Sequence, residues 1–293
     1  MAGTVFKNPD LHIHSRFSDG TDTPEQLIAN VKKAGIDLFS LTDHDCCDGC
    51  GAVAELLTDD DPSFLSGIEF SCRDAGGKYH VLGYGYDPKK DSIRAAAEIT
   101  HNARLQKVFG RLLFLEKTYS FSFSEEDREL LRSLSNPGKP HIARIMVRNG
   151  FAASIPHAFD MMEGYHGGER YLSPLEAVDA ILQADGIPVL AHAIWGDGSQ
   201  RLDEEETERR VSMMKDCGLM GLECYYSGFR RDQVEFLLSL ADKYNLFVTA
   251  GSDYHGDNKT VRLGDTGIKT DPQKMARFYK AVTLMEKIGK AES

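Results

Sequence analysis

Short apolar runs alternate with amphipathic stretches along most of this chain. Leu11–His14, Leu38–Thr42, Phe64–Cys72, His80–Tyr86, Ile187–Ala193, Gly221–Tyr226 and Leu246–Ser252 are brief, apolar and bounded by turn formers, which predicts strands. Pro24–Ala34, Glu206–Cys217 and Arg231–Tyr244 repeat their apolar positions at helical spacing, which predicts helices between strands. Strands separated by helices make an α/β fold, either a β/α barrel or a doubly wound sheet. The rhythm breaks between about Ser92 and Tyr171, where a long helical pattern, SIRAAAEITHNARLQKVFGRLLFLEKTY, precedes the Pro- and Gly-containing segment SNPGKPHIARIMVRNGF. That interval, residues 92–171, reads as a helical insertion in a barrel built from 1–91 and 172–293.

The polar interruptions fall at particular places. In DLHIHSRFSDG, strand geometry turns His12 and His14 to one side and Leu11 and Ile13 to the other, so two imidazoles converge. Alone, such a pair equally fits two core histidines bonded to backbone carbonyls. Asp19 lies just past that strand, His44 follows LFSLTD, Glu69 sits in FLSGIEFSC, His80 opens HVLGYGY, His192 ends GIPVLAHA, and Asp253 and His255 follow LFVTAGSD. Nearly all lie at strand C-terminal ends, where both fold types collect their active sites. Burying so many ionisable groups together is costly unless cations neutralise them, which predicts metal binding. Mixed imidazole and carboxylate ligation suits Zn, Mn or Fe.

Composition narrows the function. With 293 residues, 41% hydrophobic and 27% charged, the chain is globular and long enough for one large domain or two small ones. No apolar run approaches the roughly 20 residues of a membrane span, and MAGTVFKNPD has no apolar export core. Cytoplasmic placement follows, with the six cysteines reduced and Asn258-Lys-Thr not glycosylated. A net charge of −11 without a basic stripe disfavours long nucleic acids and favours small substrates. Asp45-Cys46-Cys47-Asp48-Gly49-Cys50 raises the alternative of a thiolate zinc site, although no second CxxC completes four ligands; otherwise these small residues open a helix.

DLHIHSRFSDG, TDHD, GIE, His80, the AH pair at 191–192 and GSDYHG together resemble the polymerase and histidinol phosphatase (PHP) family of metal-dependent phosphoesterases, in order over the whole chain. The resemblance implies a distorted β/α barrel of about seven strands holding two or three Mn, Fe or Zn ions. Carried across, it implies that His12, His14 and Asp253 bind one ion, Glu69 bridges, His80 and His192 hold a second, and Asp19, His44 and His255 a third. It departs at Ala193-Ile194-Trp195, where the family usually has proline after the histidine. Such a cluster would carry a bridging hydroxide for in-line attack on a phosphate ester, with Asp253 orienting the water and His141 a candidate acid. Lys139, His141 and Arg144 in GKPHIAR, with a helix starting after Pro140, would bind substrate phosphate, as would Arg170 and Tyr171; the alternative is a solvated helix start. The expected enzyme is a phosphoesterase of small phosphorylated metabolites: nucleoside bisphosphates or sugar phosphates, including cyclic ones. The alternatives are a nuclease of short oligonucleotides, a histidinol-phosphate phosphatase and a non-catalytic metal-binding module.

Overall fold

Each apolar run forms a strand in the computed structural model, which describes residues 6–134 and 136–291. The strands are β1 (Pro9–Ile13), β2 (Leu38–Leu41), β3 (Ser63–Asp74), β4 (Gly77–Tyr84), β5 (Ile187–Leu190), β6 (Gly221–Tyr226) and β7 (Phe247–Gly251). Among the described residues these seven make one sheet in chain order. The sheet curls until its ends meet: Asp253 N donates to His12 O and His14 N to Tyr254 O, both at 2.8 Å. The fold is thus a distorted β/α barrel.

The uniform β/α rhythm fails at one strand. β4 pairs antiparallel with both β3 and β5, whereas the other neighbours are parallel. Only Ala75 and Gly76 separate β3 from β4, and so short a connection permits a hairpin but no crossover. β5 ends at Leu190, so His192 stands beyond the strand rather than on it.

Helices α1 (Pro24–Lys33), α2 (Asp48–Leu56), α7 (Pro174–Gln183), α8 (Glu204–Asp216), α9 (Arg231–Lys243) and α10 (Ala276–Ala291) accompany the sheet. Local chemistry starts several of them: Thr23 and Ser173 each accept from the amide three residues on, with proline in the first turn. Two apolar clusters hold this unit. Leu82, Tyr84, Ile181, Val189, Leu222, Leu237 and Phe278 belong to the larger, and Ile13, Leu27, Val31, Phe39 and Val53 to the smaller. Each such side chain contributes roughly 1.5–3 kcal/mol by leaving water.

The chain divides into one unit of Met1–Ala97 and Leu172–Ser293 and a second of Glu98–Tyr171. The division falls inside α3 (Asp91–Tyr119), because Ile93 and Ala96 in its first turns belong to the larger barrel cluster. The second unit adds α4 (Glu125–Ser133), α5 (Lys139–Arg148) and α6 (Ile155–Met162) around its own core of Val108, Leu112, Leu115, Leu131, Ile142, Met146 and Met162. α5 starts at Lys139, not after Pro140, and the proline sits in the first turn, where its missing N–H leaves no bond unmade. No described helix is long and apolar enough to cross a membrane.

Candidate metal centre

His12 on β1 and His14 just past its end turn to one side, and β3 brings Glu69 to face them. The Glu69 carboxylate divides its contacts. Oε2 lies 3.2 Å from His12 Nε2, 3.2 Å from His14 Nε2 and 3.0 Å from His44 Nδ1. Oε1 lies 2.8 Å from His80 Nδ1 and 3.2 Å from His192 Nε2. Asp253 Oδ1 sits 3.3 Å from His14 Nε2 and 3.4 Å from His255 Nδ1, and Asp19 Oδ1 sits 3.1 Å from His255 Nε2.

These atoms fall into overlapping sets close enough for shared ions: His12–His14–Asp253, His14–Asp19–His44–His255, His44–Glu69–His80 and His12–Glu69–His192. The nine residues singled out in the sequence therefore meet. His80 and His192, expected to share an ion, fall in different sets, although their rings lie 5.1 Å apart.

The donor set fits divalent ions. His12 and His14 are wholly buried and Glu69 is 1% exposed. Yet His12 Nε2, His14 Nε2, His44 Nδ1, His80 Nδ1 and Glu69 Oε2 make no hydrogen bond of sound geometry. Buried polar atoms are normally paired, and convergent unpaired imidazole nitrogens and carboxylate oxygens are what a borderline cation requires.

The sequence model of the PHP domain matches residues 10–167. The chain belongs to the PHP family. It is 28% identical to a 3′,5′-nucleoside bisphosphate phosphatase of Chromobacterium violaceum, over 87% of this chain and 90% of that protein. It is 24% identical to a 5′-3′ exoribonuclease of Haemophilus influenzae, over 88% and 93%. A solved structure from Bifidobacterium adolescentis, assigned as a metal-dependent phosphoesterase, superposes with a TM-score of 0.74 at 30% identity, covering 88% of this chain and 91% of that one.

Opposing charges set the protonation of these PHP residues. Burial alone lowers an imidazole pKa, but Glu69, Glu223 and Asp253 carry His12 well above its usual value, and the facing carboxylates of Asp253 and Glu69 bring His14 up to about 9. Burial alone raises a carboxyl pKa, but the imidazoles hold Glu69, Asp253 and Asp19 well below the usual range. His44 and His255 are lowered by burial, with His14 adding to the effect.

A pH dependence follows. The His14 proton stabilises the metal-free fold fully below its unfolded pKa of 6.5, and that contribution is lost as pH rises through about 9. A bound ion must displace the same proton, so ion affinity rises with pH across this window and uptake releases protons. Chelator competition at several pH values, with calorimetry in buffers of different ionisation heat, measures both; a pH-independent affinity contradicts the scheme.

Sequence reasoning missed the groups behind the candidate ligands. Tyr226 Oη and Lys259 Nζ bind Asp253 Oδ2 at 2.8 and 2.6 Å, leaving Oδ1 toward the histidines. Asp43 accepts from Ser15 N and from the hydroxyls of Ser15 and Ser18. Glu223, on β6, contacts His12. The one available signal was a carboxylate inside the apolar strand GLECYY.

The cysteine segment opens α2, with Cys47 as N-cap. Burial pushes the Cys46 thiol up to about 12 and the Cys47 thiol up to about 11, and no ligand set among the described residues includes a cysteine. In the second unit, Lys139 begins α5, and His141 Nδ1 accepts from Gly138 N at 3.1 Å. Arg144 and Arg170 are exposed there.

Proposed function

We propose that this PHP phosphoric ester hydrolase acts on small phosphorylated nucleotides or sugars, with nucleoside 3′,5′-bisphosphates as the leading substrates. The observation that carries the reading is Glu69, one carboxylate whose two oxygens face separate histidine groups within a buried, partly unpaired cluster. Two or three Mn, Fe or Zn ions held by His12, His14, Asp19, His44, Glu69, His80, His192, Asp253 and His255 would supply an activated water and neutralise phosphate charge. The protein's own part is orientation. Tyr226 and Lys259 fix the Asp253 carboxylate by its outer oxygen, which leaves Oδ1 toward the histidines, where it would help hold an ion and orient the water that ion supplies.

His141 is the proposed acid. Its Nδ1 accepts from the Gly138 amide, so a proton passed to a leaving oxygen would come from Nε2. Lys139 at the start of α5, Arg144 one turn after His141, and Arg170 are the proposed phosphate contacts, supported by the anion preference of a helix N-terminus. The bisphosphate phosphatase relative supports mononucleotides, and the exoribonuclease relative supports short oligonucleotides as the second reading. The net charge of −11 favours short substrates in either case. Cytoplasmic placement is supported by six free cysteines among the described residues.

A phosphate-release screen of ion-loaded protein against nucleoside bisphosphates, cyclic phosphates, sugar phosphates and short oligoribonucleotides tests the reading. Fastest turnover on a bisphosphate is expected, and activity confined to oligonucleotides replaces it with the second reading. Arg144→Ala should raise KM for a doubly phosphorylated substrate about ten- to a hundredfold, the loss of one charged hydrogen bond, with little change for a singly phosphorylated one. Wild-type kinetics on every substrate would return GKPHIAR to a solvated helix start.

A further inference from the structure

Glu223 is completely buried on β6, and both of its carboxylate oxygens contact the ligand set. Oε1 lies 2.9 Å from His12 Nδ1 and Oε2 accepts from the backbone N of His192 at 2.8 Å. With Oε1 as the acceptor, Nδ1 of His12 would carry the proton and Nε2, the nitrogen facing Glu69, would be left to coordinate. His192 itself has φ +23°, a backbone that a residue with a Cβ holds only when its surroundings enforce it. The neighbouring strand is shaped around this contact: a Cβ on Gly251 would overlap His12 Cβ and approach Glu223 Oε1 to 2.5 Å.

We propose that Glu223 is the positioning residue of the metal centre, fixing the tautomer and orientation of His12 and, through the amide of His192, the backbone that presents the His192 ring. One side chain thereby sets two ligands that stand 180 residues apart in sequence, His12 on β1 and His192 after β5. The inference rests on the metal-centre reading above. It also explains why a carboxylate stands in an apolar strand, where an unpaired charge would be strongly destabilising.

Glu223→Gln is the discriminating change, because both partners are donors and an amide offers a single acceptor oxygen. If that oxygen keeps the His192 amide, the amide nitrogen donates to His12 Nδ1 and drives the ring proton to Nε2, where it blocks coordination. If it keeps His12, two N–H groups oppose one another at His192.

The experiment compares zinc affinity of wild type and E223Q by chelator competition, with circular dichroism and the thermal midpoint of the metal-free proteins as controls for folding. Expected is a ten- to hundredfold weaker affinity, about the range for losing a carboxylate behind a histidine ligand, in a protein that folds as wild type does. Zinc-loaded wild type labelled with ¹⁵N-histidine should show His12 protonated at Nδ1 and coordinated through Nε2, a readout that needs no variant. Equal zinc affinity in E223Q, or His12 coordinated through Nδ1, overturns the proposal while the metal centre stands. Wild type that takes up no zinc, manganese or iron overturns both.

Discussion

Glu69→Gln should lower kcat about a hundred- to a thousandfold, the scale seen when one preorganised polar group is removed from a reacting centre, while far-ultraviolet dichroism stays that of wild type. Glu69 is the group on which the site converges, with His12, His14 and His44 facing one oxygen and His80 and His192 the other. The amide keeps the volume, so packing around Ile68 and Phe70 is untouched, but it replaces one acceptor oxygen with a donor and removes the charge that offsets five imidazoles. A fall in kcat and kcat/KM together would mark an interaction made in the transition state, whereas a change in KM alone would mark ordinary substrate binding. Asp253→Asn should behave alike, since Tyr226 and Lys259 already hold its outer oxygen and only Oδ1 faces the histidines. Near-wild-type turnover in either variant removes that residue from the ligand set.

Chelation should abolish activity altogether, and protein reconstituted with Mn, Fe or Zn should contain more than one ion per chain by elemental analysis. The ligand sets are several and overlapping, and no single ion can satisfy both His80 beside Glu69 Oε1 and His255 beside Asp19. An ion at a hundred times its dissociation constant stabilises the folded state by about 2.7 kcal/mol, so the thermal midpoint should rise with added ion and fall with chelator. One equivalent or less after reconstitution would exclude the multinuclear centre.

The His12–His14 pair was readable in sequence because a two-residue spacing in a strand is a local fact. Asp19, His44, His192, Asp253 and His255 were readable as neighbours because every parallel strand of a barrel delivers its last residues to the same end. The hairpin was less legible. Arg73, Asp74 and Lys78 lie at its tip, and their polarity shortened both strands in the hydrophobic pattern and hid how close they come.

What the sequence alone determined, then, was which nine ionisable residues meet and the seven-stranded α/β class, since both depend on residue type and short-range periodicity. Tertiary structure decided the rest. It reversed β4, bringing His80 to Glu69 from an antiparallel neighbour, and distributed His80 and His192 between different ligand sets. It also placed Glu223 against His12, 211 residues away, and put Tyr226 and Lys259 behind Asp253. A carboxylate in an apolar strand announces that some partner exists, but which one is fixed only when the closed sheet brings β6 and β1 together, because hydrogen bonds act over about 3 Å and carry no trace in chain order.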